Sequence, residues 1–229
     1  MDSGKLYLVP TPIGNMGDMT ERSLEILKEV EIIACEDTRH SGRLLNKLGI
    51  KKKLISYHEF NEASRAEQLI DILKQGSSVG VISDAGSPGI SDPAYRVVRA
   101  AIDNNISVIP LPGANSIIPA LTASGLPTDR FFFEGFLPNK SGARKTRLGK
   151  LLEFPHTLIF FESPHRIVKS LNDILEVFGD RRACVAREIT KLHEQFIRGT
   201  ISEVLDVLGK TTKGEIVIVV EGSPKKKKE

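Results

Sequence analysis

The stretch Val79-Gly-Val-Ile-Ser-Asp-Ala-Gly-Ser-Pro-Gly89 passes from an apolar, strand-like run directly into a loop of small residues. Leu6–Asn15 and Val108–Asn115 repeat this passage elsewhere in the first half of the chain. In open α/β sheets, ligands bind outside the carboxyl ends of the strands. Three loops of this kind therefore predict a ligand pocket, and we take that pocket as the seat of function.

Strand-like and helix-like patterns alternate along the chain, which is typical of βα units with mostly parallel sheets. Strand candidates begin in two sets of five, near Leu6, Ile32, Leu54, Val79 and Ser107, and near Phe131, Leu158, Ala183, Phe196 and Ile216. We therefore predict an α/β protein with two mostly parallel five-stranded sheets. Prolines and glycines in residues 112–125 fit a crossing between domains. The predicted domains are residues 1–113 and 114–222, and a basic tail spans 223–229.

The composition favours a folded protein without a membrane segment. A length of 229 residues and 40% hydrophobic content suffice for sizeable cores. No apolar stretch approaches the ~20 residues that cross a bilayer, and the N-terminus lacks the features of a signal peptide. We therefore expect a cytoplasmic location. Cys35 and Cys184 lie in strand-like runs without metal-ligand spacing, and we predict buried, reduced thiols.

Basic residues are concentrated locally, although the formal net charge is only +3. Without residues 225–229, the chain has 28 basic and 28 acidic residues. Further basic clusters are Lys51–Lys53 and the set Lys140, Arg144, Lys145, Arg147 and Lys150, which has no acid among residues 140–150. Such clusters suit a polyanion such as a nucleic acid. The alternative is a solvated helix face together with a frayed tail.

Several common chemistries lack their motifs in this chain. It contains no G-x-x-x-x-G-K-[ST], G-x-G-x-x-G or H-E-x-x-H pattern. Gly76–Gly80 matches G-x-S-x-G in letters, but it stands before a strand-like run, whereas the serine of a nucleophile elbow follows a strand. The five histidines show no ligand spacing, and we predict no metal site. Hydrolase and metalloenzyme functions are therefore disfavoured.

Polar side chains follow the second and third predicted strands, on the sheet edge that carries the three loops. Glu36-Asp-Thr-Arg39 follows the second strand, and His58-Glu59 with Asn61 follows the third. A carboxylate or imidazole there can accept a proton, and Arg39 can hold an anionic group bidentately. Taken separately, the alternatives are an acidic helix start with Thr38 as N-cap and a surface loop histidine.

Charged residues also follow strands in the second half of the chain, in Phe160–Arg166 and Ala186–Lys191. Structural salt bridges are the simpler explanation for Arg166, Arg187 and Glu188. A cofactor at a domain interface is the alternative.

An ordered series of motifs spans nearly the whole chain: Pro10–Asn15, Glu36–Arg39, Tyr57–Glu59, Ser83–Pro93, Pro112–Ser116, Ala123–Pro127, Phe133–Pro138, Glu162–Arg166, Ala186–Lys191 and Gly214–Gly222. This series closely resembles the tetrapyrrole methylase superfamily. Within that superfamily it is most similar to the branch that methylates a cytidine ribose 2′-oxygen in 16S ribosomal RNA.

The resemblance implies S-adenosylmethionine as methyl donor, bound in a cleft between two α/β/α domains of a homodimer. The cofactor-binding residues it implies are Asp84, Ala85, Gly86, Pro112, Gly113, Ser116, Phe136, Leu137 and Arg187. The predicted catalytic residues are Glu36, Asp37, Arg39, His58 and Asn61. We expect ribosomal RNA to contact Lys140, Arg144, Lys145 and Arg147.

Two other functions remain open from the sequence. The same scaffold can methylate a tetrapyrrole-like small molecule or a modified protein residue, which predicts an acceptor cavity without residues 140–150 at its rim. The chain can also be a noncatalytic nucleotide-binding module, against which Glu36, Asp37 and His58 argue only circumstantially.

Overall fold

A computed structural model describes residues 3–208 and 213–224. The chain divides into a first unit, Met1–Asn115, and a second unit, Ser116–Glu229. This division lies two residues beyond the boundary expected from the sequence. No helix in the described ranges is long and apolar enough to cross a membrane.

The first unit alternates strands and helices along its length. Its elements are β1 (Leu6–Leu8), α1 (Glu21–Glu29), β2 (Ile32–Cys35), α2 (Thr38–Lys47), β3 (Lys53–Ser56), α3 (Glu62–Lys74), β4 (Val79–Val81), α4 (Ala94–Asp103) and β5 (Val108–Pro110). In the described part of this unit the strand order is β3-β2-β4-β1-β5, and every neighbouring pair is parallel. The parallel sheet predicted for the first domain is confirmed.

Apolar residues on both faces of this sheet produce an α/β/α arrangement of layers. Successive strand residues point to opposite faces, so Ile32 and Ala34 join one core cluster while Ile33 and Cys35 join another. The first cluster includes core residues of α3 and α4, and the second includes those of α1 and α2. A sheet covered on both faces places its ligand-binding edge at the loops after the strands.

The second unit contains the other five predicted strands. Its elements are α5 (Ile117–Thr122), β6 (Phe131–Phe136), α6 (Ser141–Gly149), β7 (Thr157–Glu162), α7 (Ile167–Phe178), β8 (Arg182–Arg187), β9 (Gln195–Thr200), α8 (Ile201–Leu208) and β10 (Ile216–Val220). All ten strands of the two units begin within one residue of their predicted starts. Apolar residues of α6, α7 and α8 form one core cluster with this sheet.

The second sheet corrects the prediction that both sheets are mostly parallel. Its order is β6-β7-β10-β8-β9, and among its described pairs only β6 with β7 is parallel. Residues 188–194 join β8 to β9 without a helix. A parallel connection needs a crossover of about a dozen residues or more, so this short loop can only return the chain antiparallel.

Both cysteines are buried and free, as predicted from the sequence. Burial raises the pKa of the Cys35 thiol, and the nearby negative charges of Asp84, Asp37 and Glu36 add to the shift. Burial also raises the pKa of Cys184, to about 11. Both thiols therefore stay protonated near neutral pH, and such thiols are poor nucleophiles.

Candidate active site

The strand order divides the carboxyl edge of the first sheet into two halves. We call the loops after β4, β1 and β5 (residues 82–93, 9–15 and 111–115) the small-residue half, because these three strands are neighbours. The loops after β2 and β3 (residues 36–37 and 57–61) form the polar half. The three loops of small residues therefore lie side by side, and so do the two loops that carry polar side chains.

Hydrogen bonds fix the first two loops of the small-residue half. Thr11 and Gly86 pair as an isolated antiparallel bridge, with N···O distances of 3.0 and 2.9 Å. The buried hydroxyl of Thr11 donates to the carbonyl oxygen of Ser83 at 3.0 Å, and the Ser83 hydroxyl lies 3.1 Å from the Gly86 carbonyl oxygen. The backbone around residues 83–86 is therefore held in one conformation.

Two glycines allow these loops to approach one another closely. Gly86 has φ of +81°, in the left-handed region that favours glycine. A Cβ added to Gly113 would lie 2.8 Å from the Cβ of Pro10, which is too close for any side chain. The Ser87 hydroxyl donates to the Ala114 carbonyl at 3.3 Å and ties the loop after β4 to the loop after β5.

The structure thus brings together the five cofactor candidates of the first unit: Asp84, Ala85, Gly86, Pro112 and Gly113. Ala85 and Pro112 are exposed, and Asp84 is partly exposed. The backbone N–H of Asp37 donates to Oδ1 of Asp84 at 3.4 Å. This contact joins the small-residue half to the polar half.

Asp37 directly precedes helix α2, and its carboxylate caps the N-terminus of that helix. Its Oδ1 accepts hydrogen bonds from the backbone N–H groups of Arg39 at 2.8 Å and His40 at 3.3 Å. These bonds and the charge of Arg39 lower the pKa of Asp37. Asp37 therefore serves as N-cap, and the alternative in which Thr38 caps the helix is wrong.

Glu36 has the opposite electrostatic environment. Burial raises its pKa, and the nearby negative charges of Asp84, Asp92 and Glu59 raise it further. A carboxylate with a raised pKa holds a proton more readily, so Glu36 is the stronger proton acceptor of the two adjacent carboxylates.

Arg39 projects its guanidinium group toward solvent at the start of α2. Its side chain is 89% exposed, and Nε lies 3.5 Å from Oδ1 of Asp37. An exposed pair of this kind is weak, so the guanidinium group remains available to an anionic ligand.

The turn after β3 fixes His58 through Asn61. Oδ1 of Asn61 accepts from the His58 backbone N–H at 2.9 Å, and Nδ2 lies 3.2 Å from the Ser56 carbonyl oxygen and 3.1 Å from Nε2 of His58. Because Nδ2 is a donor, Nε2 accepts and the ring proton is assigned to Nδ1. Nδ1 is buried and has no hydrogen-bond partner in the described part of the chain. Asn61 therefore orients His58.

The structure adds Asp92 to the acidic surroundings of Glu36. Oδ1 of Asp92 accepts from the backbone N–H groups of Gly89 at 2.7 Å and Ala94 at 3.0 Å. Its Oδ2 is buried and has no partner among the described residues, and burial raises the pKa of the carboxyl group. The Asp92-Pro93 pair before an apolar helical pattern was the available sequence signal, but it indicates only a helix start.

Tyr57 holds the start of α4 beside this site, a role that the sequence did not indicate. Its hydroxyl donates to the Pro93 carbonyl and accepts from the Val97 N–H, both at 3.1 Å. The side chain is buried, and burial raises the pKa of Tyr57 to about 12. The hydroxyl therefore stays protonated and acts as a structural hydrogen-bond donor and acceptor.

The cofactor candidates of the second unit differ in what they offer a ligand. Ser116 precedes α5 and makes no side-chain cap bond, and Phe136 is 58% exposed. Leu137 is 2% exposed and belongs to the core cluster, so only its backbone is available. Arg187 hydrogen-bonds to Gln195 and to the Lys213 carbonyl, while its buried Nε has no partner within the described residues.

Salt bridges do account for the other charged residues at strand exits in this unit. The guanidinium group of Arg166 lies 2.6 Å from Oε1 of Glu162, whose side chain is fully buried. Oε1 of Glu188 lies 3.0 Å from Nζ of Lys191. The structural interpretation of Arg166 and Glu188 is therefore confirmed.

The structure corrects the RNA-binding prediction for Arg144. Its side chain is 3% exposed, and its guanidinium group lies 2.6 Å from Oδ2 of Asp173. It also donates to the carbonyl oxygens of Pro138 at 3.1 Å and Asn139 at 3.2 Å. Arg144 is a buried structural residue, because α7 supplies a carboxylate that the neighbouring sequence lacks.

Two other basic residues of this cluster are also paired. Nζ of Lys145 lies 2.6 Å from Oε2 of Glu176, and Arg147 forms a two-pronged ion pair with Glu134. Lys140 is exposed at the N-terminus of α6. Of the four predicted RNA contacts, Lys140 is the one best placed to meet a polyanion. The basic residues Lys225–Lys228 lie outside the described residues.

Comparison with known proteins places this chain in a class of methyltransferases. Residues 5–205 match the family model of Tetrapyrrole (Corrin/Porphyrin) Methylases. The chain therefore belongs to the tetrapyrrole methylase family.

Among its relatives are proteins named ribosomal RNA small subunit methyltransferase I. The relative from Haemophilus influenzae is 51% identical over 97% of this chain and 80% of its own length. The relative from Micromonospora olivasterospora is 49% identical over 97% of this chain and 72% of its own length. That from Escherichia coli O157:H7 is 48% identical over 96% of this chain and 78% of its own length.

Solved structures of lower identity share the fold. The methyltransferase CobJ matches with a TM-score of 0.68 and 18% identity, covering 96% of this chain and 95% of that chain. Uroporphyrin-III C-methyl transferase from Thermus thermophilus, complexed with S-adenyl homocysteine, matches with a TM-score of 0.63 and 19% identity. That match covers 94% of this chain and 97% of the other.

Proposed function

We propose that this protein transfers a methyl group from S-adenosylmethionine to the ribose 2′-oxygen of a cytidine in 16S ribosomal RNA. The observation that carries the proposal is the 48–51% identity, over 96–97% of the chain, to proteins named ribosomal RNA small subunit methyltransferase I. That identity favours an RNA acceptor over a tetrapyrrole, a protein residue or a noncatalytic role. The ribose hydroxyl as acceptor is supported by the carboxylates of the polar half.

The small-residue half fits the proposed donor. Its loops present main-chain groups beside the exposed Ala85 and Pro112, and the left-handed Gly86 lets a ligand approach the backbone. The carboxylate of Asp84 can accept hydrogen bonds from hydroxyl or amino groups of such a ligand. When bound, S-adenosylmethionine supplies an electrophilic methyl group on a sulfonium sulfur.

The polar half provides groups for the acceptor. Glu36, whose pKa is raised, takes the proton from the 2′-hydroxyl as the oxygen becomes nucleophilic. Arg39, whose side chain is 89% exposed, binds a phosphate group of the RNA.

Positioning of the two substrates contributes more than proton removal. Holding reacting groups in line supplies about 7–11 kcal/mol of the barrier. One general base supplies about 10²- to 10⁴-fold, equivalent to about 3–5 kcal/mol. The hydrogen bonds that fix residues 83–86 and the turn at residues 58–61 therefore matter as much as the base itself.

The proposal includes a homodimer in the cytoplasm, with ribosomal RNA contacting Lys140 and the basic residues 225–228. Lys140 supports it because its side chain is exposed, whereas Arg144, Lys145 and Arg147 are paired with carboxylates. Sedimentation velocity of the purified full chain measures the oligomeric state directly.

Turnover of radiolabelled S-adenosylmethionine on undermethylated small ribosomal subunits tests the proposed function. We expect label in 16S RNA, and nuclease digestion with mass spectrometry should identify 2′-O-methylcytidine. Subunits that already carry the modification serve as the control and should accept no label. Label in another base, in protein or in neither fraction would contradict the proposal.

A further inference from the structure

Phe60 is an aromatic side chain that the polar half leaves in solvent. It is 88% exposed, and of the large hydrophobic side chains in the described ranges only Leu192 exceeds it. Single exposed apolar residues are common on protein surfaces. Phe60 differs from most of them because it lies in the turn that carries two candidate catalytic residues, His58 and Asn61.

The backbone that carries Phe60 is held firmly. The Asn61 N–H donates to the His58 carbonyl at 2.9 Å, which closes a tight turn across residues 58–61. Both ends of the Asn61 amide are bonded to this turn and to the end of β3. The Phe60 ring packs edge-on against the His58 ring, with centroids 5.9 Å apart. A fixed backbone presents the ring at little entropic cost on binding.

The turn lies close to the proposed proton acceptor. β3 pairs with β2 in parallel register, with Ser56 opposite Cys35, and the Tyr57 N–H donates to the Cys35 carbonyl at 2.8 Å. Glu36 directly follows Cys35, and the charge of Glu59 contributes to the raised pKa of Glu36. Phe60 is the next residue after Glu59, so its ring belongs to the same sheet edge as Glu36.

The polar half thus offers one group for each part of a nucleotide. A carboxylate matches the ribose hydroxyl, the exposed guanidinium group of Arg39 matches a phosphate, and an aromatic ring matches the face of a base. Proteins that recognise unpaired RNA stack splayed bases on such rings.

We propose that Phe60 stacks against the base of the acceptor cytidine and thereby sets the distance of its 2′-hydroxyl from Glu36. This inference rests on the proposed function, since it requires an RNA acceptor. Phe60 is in this view a residue that binds the substrate, while Glu36 performs the proton transfer.

Substitution of Phe60 tests the proposal on undermethylated small ribosomal subunits. Loss of one base–aromatic stack corresponds to about 5- to 150-fold in binding. We expect Phe60→Ala to lower kcat/KM for the subunit within that range. Phe60→Trp should stay within about threefold of wild type, because indole also stacks. Phe60→Leu should resemble Phe60→Ala, because leucine keeps apolar area but has no aromatic face.

Ile102→Ala is the matched control. Ile102 is a 54% exposed hydrophobic residue near the end of α4, in the same unit. A helix that follows a parallel strand ends at the opposite edge of the sheet, so this variant should behave as wild type. Titration calorimetry with S-adenosylhomocysteine should give the same affinity for wild type and Phe60→Ala.

The outcomes separate this inference from the proposed function. If wild type methylates the subunits but Phe60→Ala stays within twofold of it, or Phe60→Trp fails to restore activity, stacking by Phe60 is overturned alone. Reduced affinity of Phe60→Ala for S-adenosylhomocysteine overturns it as well, because the ring would then act on the donor. An inactive wild type overturns both.

Discussion

The carboxyl edge of the first sheet places like charges near one another, whereas the basic cluster of the second unit pairs opposite charges. At the edge, burial raises the pKa of Glu36, and the like charges of Asp84 and Asp92 raise it further. In the cluster, Arg144 is buried against the opposite charge of Asp173. Like charges held together weaken a fold, and such groups are enriched where chemistry occurs. Opposite charges buried together are structural, and the two arrangements therefore mark different roles.

The largest expected effect comes from breaking the buried pair. Arg144→Ala leaves the carboxylate of Asp173 buried without its partner, which costs about 3–5 kcal/mol in the free energy of unfolding. Urea denaturation followed by circular dichroism measures this cost. If Arg144 were instead an RNA contact, the variant would unfold like wild type and lose only affinity for RNA.

Lys140→Ala is the control for this experiment. Lys140 belongs to the same stretch of sequence, but its side chain is exposed. Surface substitutions of this kind stay within about 0.5 kcal/mol of wild type. Equal destabilisation by Arg144→Ala and Lys140→Ala would contradict the distinction between a buried, paired Arg144 and an exposed Lys140.

The next largest effect is expected on the rate of methyl transfer, from a substitution in the polar half. Glu36→Gln keeps the size of the side chain but removes the proton acceptor, so methyl transfer should slow by about 10²- to 10⁴-fold. Affinity for the donor should stay nearly constant, because Glu36 follows β2 in the polar half. Single-turnover transfer and titration calorimetry separate these two quantities.

Glu29→Gln provides a matched control for the loss of one carboxylate. Glu29 is exposed in the last turn of α1, away from the loops that follow the strands. Its replacement should leave the rate unchanged. A parallel loss of donor affinity in Glu36→Gln would place Glu36 in the cofactor site and refute its assignment to the acceptor.

The sequence was sufficient to predict the strands of the fold and most of the loop residues at the carboxyl edge of the first sheet. Apolar runs ended by small residues are local features, so every strand start was predicted to within one residue. The direction of the second sheet was also encoded locally, because residues 188–194 are too few for a helical crossover. The error arose from extending the parallel pattern of the first sheet to the second.

The pairing of charges could not be predicted from local sequence. Arg144 and Asp173 are separated by 29 residues and meet only because α6 packs against α7. An acid-free stretch such as residues 140–150 therefore looks like a free basic surface until the tertiary structure is known. The same limit applies to Asp92, whose unpartnered oxygen becomes visible only when its burial is known.

A smaller effect is expected in the pH dependence of the reaction. Glu36 must be ionised to accept a proton, so kcat/KM should fall as pH decreases through its raised pKa. Asp92→Asn keeps an oxygen that accepts from Gly89 and Ala94 but removes a negative charge near Glu36. The pKa of Glu36 then falls, and the acid limb of the pH profile moves to lower pH. An unmoved limb would show that Glu36 does not govern this limb.

The smallest effect is expected at the exposed margin of the basic cluster. Lys145 pairs with Glu176, but the two side chains are 35% and 64% exposed. Water and salt screen such a pair, so Lys145→Ala should move the urea midpoint by only a small fraction of the Arg144→Ala shift. Repeating both measurements in 1 M NaCl should remove the Lys145 effect and leave most of the Arg144 effect. The two residues are adjacent in sequence and share Asp173 as a neighbour, so the larger effect at Arg144 reflects its burial together with its additional hydrogen bonds to Pro138 and Asn139.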